Sequence, residues 1–349
     1  MIRRILYILN NKEIYAGGPG RARNTVWASY LLLSVNILFF IAMSFAGGST
    51  NSDVLIDFGA MYGPYLAAGQ YWRLVTAMFI HVGIIHLGFN SIGLWIFGRM
   101  AETLFGSPKF VLIYVLAGLC GAVVSYIFNP IAIAAGASGA IFGVLGALAA
   151  FFLTLYKDPN ARKNLYGLLG LAALNLIFGF LSEGIDNWAH MGGFVAGFFL
   201  GYFLTPVSGF LHPGFDGFYV INKLKNSFTR YIAISIIIAA ILGGFWLGNS
   251  TLPTNTTTEV LTAEKLLKDG DYRGAIINIE KAIEIGILGD AFLGRAYFLR
   301  ALIMVQYGNF EAALNDIGYA LVNGDSETRE KSVELLTEIN DLRGQVFVR

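Results

Sequence analysis

Between Lys109 and Lys157 the chain carries no Asp, Glu, Lys or Arg. A helix crosses the hydrocarbon core of a bilayer with about 20 mostly apolar residues, so this run alone is long enough to cross twice. Lipid offers the backbone no hydrogen bonds, which leaves helices or closed barrels as spanning structures. Apolar runs this long and even read as helices. Seven are expected, at about 26–47, 83–106, 108–128, 131–156, 164–182, 187–206 and 230–249. Composition agrees: 13% of residues are charged, against about a quarter in soluble domains. The 42 glycines suit close helix packing. A net charge of +1 implies no nucleic-acid partner. The single cysteine, Cys120, has no disulfide partner in the chain and reads as packing. The apolar stretch behind Arg3 and Arg4 is too short for a cleavable signal peptide.

Lys and Arg mark the cytoplasmic side. They occur before the first span (Arg3, Arg4, Lys12, Arg21, Arg23), after the second (Arg99, Lys109), after the fourth (Lys157, Arg162, Lys163) and after the sixth (Lys223, Lys225, Arg230). The alternate loops hold Asp53, Asp57, Glu183 and Asp186, with Arg73 as their only basic residue. The N-terminus is therefore expected inside and the loop 48–82 outside. The seventh span then places the C-terminal region outside.

From about residue 258 charge and helical periodicity return. GDYRGAIINIEKAIEI (270–285) and GNFEAALNDIGYAL (308–321) share the pattern G-x-aromatic-x-x-A. This resembles the tetratricopeptide repeat, a helix–turn–helix unit of about 34 residues. A last amphipathic helix at about 326–342 would cover the end of the stack, and such surfaces commonly bind peptides or proteins. The expected division is a cytoplasmic segment 1–25, a six-span core 26–206, a loop and seventh span 207–249, a linker 250–257 and a helical domain 258–349.

A few polar groups lie inside the spans. Ser138 is about seven residues into the fourth, or roughly 10 Å below the outer surface at 1.5 Å per residue. His190 lies early in the sixth span, and His86 and Asn90 early in the second. All three helices enter from the outside, so topology alone puts the four groups at similar depth. Gly193, Gly197 and Gly201 form a stripe below His190, and Ala135, Gly139, Gly143 and Gly146 form one beside Ser138. Small residues at this spacing let two membrane helices approach closely, which would bring hydroxyl and imidazole into contact. A serine hydroxyl becomes a nucleophile when a base takes its proton, and imidazole has a suitable pKa. Acyl transfer also needs donors for the developing oxyanion. His86 and Asn90, one turn apart, and the Ser138 amide are the candidates.

Plainer readings stand beside this one. A lone serine in a glycine-rich membrane helix is ordinarily packing. A membrane histidine tends to be functional, and by itself would serve a proton path or a metal site equally well. The metal reading is weaker: there is no HExxH or paired-cysteine ligand set, and His81 and His86 at i, i+5 share a helix face poorly. No span has an Asp or Glu near its middle, which argues against a carboxylate relay. His212, beside Pro213, reads as incidental.

GASGAIFG (136–143), HLGFN (86–90) and AHMGGFVAGF (189–198) resemble the GxSG, HxxxN and AHxxGxxxG motifs of the rhomboid family of intramembrane serine proteases. YWRL (71–74) is similar to the Trp–Arg pair of that family's first outer loop, and GRMAE (98–102) to its charged signature on the inner side. The resemblance covers roughly residues 60–206. It implies an all-α polytopic bundle of six spans, here with a seventh and a small C-terminal helical repeat domain. It implies a Ser138–His190 dyad without a third acidic residue, and an oxyanion hole from His86, Asn90 and the Ser138 amide. His81 would organise water near the cavity. Phe142 would stack on His190 where many members have tyrosine. Gly136, Gly139, Gly193 and Gly197 would give close approach, and Trp72 and Arg73 would stabilise the outer loop. No cofactor or metal is required. The implied substrates are single-span membrane proteins in the lipid bilayer, and the repeats would recruit a protein partner. The expected location is a bacterial plasma membrane. The alternatives are a non-catalytic relative that binds or remodels membrane clients, which would usually lack the serine or the histidine, and a transporter, which would show intramembrane charges and repeated spans.

Overall fold

The computed structural model describes residues 26–182, 184–205, 227–252, 255–287 and 290–346. The basic N-terminal segment, Glu183, His212, Lys223 and Lys225 lie outside these. The described chain is helical, and its only ladder is a single bridge between Met61 and Ala134. It divides into two compact units, one ending at Gly63 and resuming from Tyr71 to Thr251, the other comprising Pro64–Gln70 and the region from Leu252 on.

The first unit contains seven long helices: α1 (Ala28–Phe45), α2 (Gly83–Phe105), α3 (Ser107–Phe128), α4 (Ser138–Thr154), α5 (Pro159–Leu181), α6 (Asn187–Leu204) and α7 (Ser227–Thr251). By length and composition α1, α3, α5 and α7 can each cross a membrane alone. The segment Arg73–Phe79 and α2, bent by 91° at the break, pass that test together. The chain is a multi-pass membrane protein. α2 is continuous through one π-helical turn at Leu94–Gly98.

Local chemistry sets the helix ends. Trp27 provides no side-chain cap for α1; the Glu102 carboxylate of α2 does so instead. It accepts hydrogen bonds from the amides of Trp27, Ala28 and Ser29 at 2.8–2.9 Å and from the hydroxyls of Ser29 and Ser107 at 2.7 Å. A carboxylate suits the positive end of the helix dipole. The Asp158 side chain caps α5, and Asp186 caps α6.

α4 is the centre of the unit: every residue from Gly139 to Phe152 is buried. It is 17 residues long, or about 25 Å at 1.5 Å per residue. The sequence reading starts this span at 131. The helix starts at Ser138, because Pro130 and Gly136, at φ +131°, break the upper part. Residues 129–137 form a descending loop, tied to the outer loop by Met61 N–H to Ala134 O (2.9 Å), its reciprocal (2.8 Å) and Gly63 N–H to Pro130 O (2.8 Å).

α7 docks on α3. A Cβ on Gly244 would meet Val123, and one on Gly248 would meet the Tyr126 ring. Phe245 lies against Tyr71 and Tyr126, and the Tyr126 hydroxyl donates to Asn249 Oδ1 at 2.5 Å. α7 continues to Thr251, two residues past the boundary read from sequence. The Ser250 and Thr251 hydroxyls bond back to Leu247 O.

The second unit contains two helical hairpins, α8 (Thr256–Lys268) with α9 (Tyr272–Ile285) and α10 (Ala291–Gln306) with α11 (Phe310–Asn323), followed by α12 (Ser326–Val346). The repeated sequence pattern has a repeated geometry. Gly270 and Gly308 both take positive φ, Asp271 and Asn309 cap the next helix, and Ala275 and Ala313 are fully buried. Arg300 makes two hydrogen bonds to the Asp316 carboxylate, at 2.8 and 2.7 Å.

Candidate active site

Ser138 is the first residue of α4. Its amide therefore has no acceptor within the helix and points out of the helix start. The residues before it are held from outside: Gly136 N–H donates to Ala77 O at 2.8 Å, and Ala137 N–H to His81 Nε2 at 3.5 Å. The other ring nitrogen of His81, Nδ1, pairs with Phe79 O at 3.2 Å, which fixes the imidazole as the tautomer protonated there. His81 is fully buried, and its two ring contacts brace the approach to Ser138.

His190 Nε2 lies 2.8 Å from Ser138 Oγ. The contact exists because α4 and α6 touch backbone to backbone. A Cβ on Gly193 would overlap the Gly139 carbonyl, and one on Gly197 the Gly143 carbonyl. On Gly201 a Cβ would collide with Ala147. Small-residue packing of this kind is the membrane solution to close helix contact. Ala135 belongs to the loop, so the stripe on α4 consists of Gly139, Gly143 and Gly146. Phe142 stacks on the imidazole, with centroids 4.2 Å apart and planes 3° from parallel. His190 is 7% exposed, and its Nδ1 has no hydrogen-bond partner among the described residues. Among the described residues no carboxylate orients the ring; the helix seam and Phe142 do so.

His86 faces the same place from α2. Its Nδ1 accepts from Val82 N–H at 3.3 Å, so in the neutral ring the proton is on Nε2. That N–H is directed at the loop before Ser138. A Cβ on Gly136 would lie 2.8 Å from His86 Nε2 and 3.7 Å from Ser138 Oγ. Gly136 thus has two reasons to lack a side chain: its positive φ and the imidazole beside it. Asn90 is buried on the same helix, its Nδ2 donating to His86 O at 2.9 Å while Oδ1 has no partner among the described residues. The amide is one turn from the His86 ring, with one of its two N–H donors engaged.

His81 and His86 are closer than helical spacing suggests, with ring centroids 5.3 Å apart. His81 precedes the helix, and the turn at Val82–Gly83 folds it back. No group of three or more His, Cys, Asp or Glu suited to a metal ion occurs among the described residues.

Arg73 is 5% exposed and donates through Nη1 to Ile56 O at 2.5 Å and Ala60 O at 3.0 Å, while its guanidinium lies over Trp72 at 4.7 Å. The pair ties the loop 48–82 together behind the bridge to Ala134. Two features were missed in the sequence. Gly121 on α3 lies against Ala189 O, the residue before His190, and Gly192 lies against Val124. Gly121 lies outside the quoted motifs, and Gly192 sits inside AHMGGFVAGF at a position the motif does not specify. The capping role of Glu102 had no signal, since its partners are more than seventy residues away along the chain.

A Rhomboid domain family model matches residues 68–207. The chain is 35% identical over 249 residues to Rhomboid protease GluP of Bacillus subtilis (strain 168), covering 70% of this chain and 45% of that protein. It is 35% identical over 199 residues to RHOMBOID-like protein 5 of Arabidopsis thaliana, covering 54% of this chain and 64% of that protein. It thus spans less than two thirds of either. To RHOMBOID-like protein 2 of Arabidopsis thaliana it is 32% identical over 268 residues, with 67% of this chain and 83% of that protein aligned. With its spans arranged as described and most of a relative's length matched, the chain belongs to the rhomboid family.

Proposed function

We propose that the chain is an intramembrane serine endopeptidase with Ser138 as nucleophile and His190 as general base. The observation that carries this reading is the 2.8 Å contact between Ser138 Oγ and His190 Nε2. The Ser138 proton passes to His190 Nε2 as Oγ bonds to the scissile carbonyl carbon, and the carbonyl π electrons move to oxygen. His86 Nε2–H and the Ser138 amide receive that oxyanion, and Asn90 joins them through its second Nδ2–H. Donors already in place act without reorganising. Collapse expels the amine, which takes the proton from His190. Water then repeats the sequence on the acyl-enzyme and releases the serine.

The substrates are single-span membrane proteins. A regular helix hides its carbonyls, so the substrate must unwind locally to present one to Ser138. The basic loops support an N-terminus in the cytoplasm and a C-terminal domain outside a bacterial plasma membrane. We read that domain as tetratricopeptide-like and as the docking site of a protein partner.

The test compares wild type with Ser138→Ala, both reconstituted, for cleavage of a fluorogenic membrane-segment substrate and for labelling by a serine-directed phosphonate. Cleavage and labelling by wild type alone are expected. Labelling of both proteins, or of neither, would overturn the assignment of Ser138.

A further inference from the structure

The turn between α4 and α5 concentrates cations that no carboxylate among the described residues neutralises. Lys157, Arg162 and Lys163 are all exposed, and among the described residues no carboxylate lies within ion-pair distance of them. The one acid in the turn, Asp158, is 8% exposed, and its Oδ1 accepts the Asn160 and Ala161 amides. Beside the cations two tyrosines meet hydroxyl to hydroxyl, Tyr156 and Tyr166, at 2.8 Å. The Arg162 guanidinium lies 5.8 Å from the Tyr156 ring centroid. Two hydroxyls sharing one hydrogen bond leave one proton free to donate. The cluster thus offers a hydroxyl donor, a guanidinium fork and two ammonium groups at one edge of the membrane. Among the described residues no carboxylate pairs with these cations.

An apolar track leads away from it. On α5 the exposed residues Tyr166, Leu169, Ala173, Ile177 and Phe180 follow one another at helical spacing. They line one side of the helix from the cluster toward the far end. Cations and tyrosine hydroxyls at the interface, above an apolar stripe, match a lipid with an anionic phosphodiester headgroup and an acyl chain.

The geometry points to a binding site for one anionic phospholipid, its headgroup held by Arg162, Lys163, Lys157 and the Tyr156–Tyr166 pair and its chain lying along α5. A basic side chain near an anionic membrane surface contributes about fivefold in association, and the fork of Arg162 adds directional bonds to phosphate oxygens. Free phosphate presents the same oxygens without the chain, so the two sources can be separated.

The experiment uses the full chain in phosphatidylcholine vesicles containing spin-labelled phosphatidylglycerol or spin-labelled phosphatidylcholine, and reads the motionally restricted fraction of each. Wild type is expected to prefer phosphatidylglycerol by at least about tenfold. Arg162→Gln with Lys163→Gln should remove that preference, and Tyr156→Phe with Tyr166→Phe should lower it about threefold. Added inorganic phosphate should leave it unchanged. Equal association of the two lipids with wild type would overturn the proposal, as would a preference that survives the charge variant. Displacement by inorganic phosphate would do the same, since it would mark a soluble-anion site. Should the Gln pair fail to fold, Lys157→Gln and Tyr166→Phe, both at exposed positions, carry the same test.

Discussion

The backbone contact between α4 and α6 sets the Ser138–His190 distance, and Gly193→Ala tests that directly. A methyl group at 193 would fall on the Gly139 carbonyl, one residue from Ser138 and three from His190. Two remedies exist: the helices part by roughly 1 Å near the outer end, or the α4 turn carrying Ser138 shifts. Either takes the 2.8 Å contact beyond about 3.5 Å, where a hydrogen bond is lost. Overpacking of this kind costs about 1–3 kcal/mol of stability, and a 1 Å misplacement of a reacting group costs up to roughly 100-fold in rate. The control is Gly170→Ala on α5, where a Cβ meets nothing within 4 Å. Phosphonate labelling rates and thermal unfolding in the same membrane mimetic read both effects. Gly193→Ala should label about 10–100 times more slowly than wild type and unfold at a lower temperature, with Gly170→Ala unchanged. A Gly193→Ala protein that labels and unfolds like wild type would refute the idea that the seam sets the dyad.

Other outcomes follow from the same contacts. His86→Ala removes the Nε2–H aimed past Gly136; kcat should fall about 100–1,000-fold in the cleavage assay with little change in unfolding temperature. Arg73→Met leaves the carbonyls of Ile56 and Ala60 without their donor and should lower stability by about 3 kcal/mol in thermal unfolding. Arg73→Lys should not restore it, because an ammonium lacks the planar fork. In the C-terminal domain, the hydrogen bonds that Arg300 donates to the Asp316 carboxylate raise the Arg300 pKa, and Asp316 is 2% exposed. Arg300→Ala leaves that carboxylate buried and unpaired, and should destabilise the domain by about 3 kcal/mol, measured as the helix signal lost on heating.

Much of the molecule follows from the sequence alone. The uncharged run from Phe110 to Tyr156 reads as helices in lipid, because a helix satisfies its own backbone there and the run is too long and even for barrel strands. The glycine stripes below His190 and beside Ser138 select which helices touch, because only small residues permit backbone contact. Periodicity also finds the paired helices after residue 258, since a helix must bury one face wherever it packs. What sequence could not give is the path of the chain where backbone groups find distant partners. Residues 129–137 are apolar enough to continue the fourth helix. They leave it because Gly136 takes a positive φ, and the freed amides pair with Met61, Ala77 and His81. His81 and His86 meet across a turn rather than along a helix, and the cap of α1 comes from Glu102 far along the chain. Composition and spacing report what a segment must bury. Only the folded structure decides which distant groups satisfy the polar atoms left over, and that choice places the Ser138 hydroxyl at the start of its helix with His190 beside it.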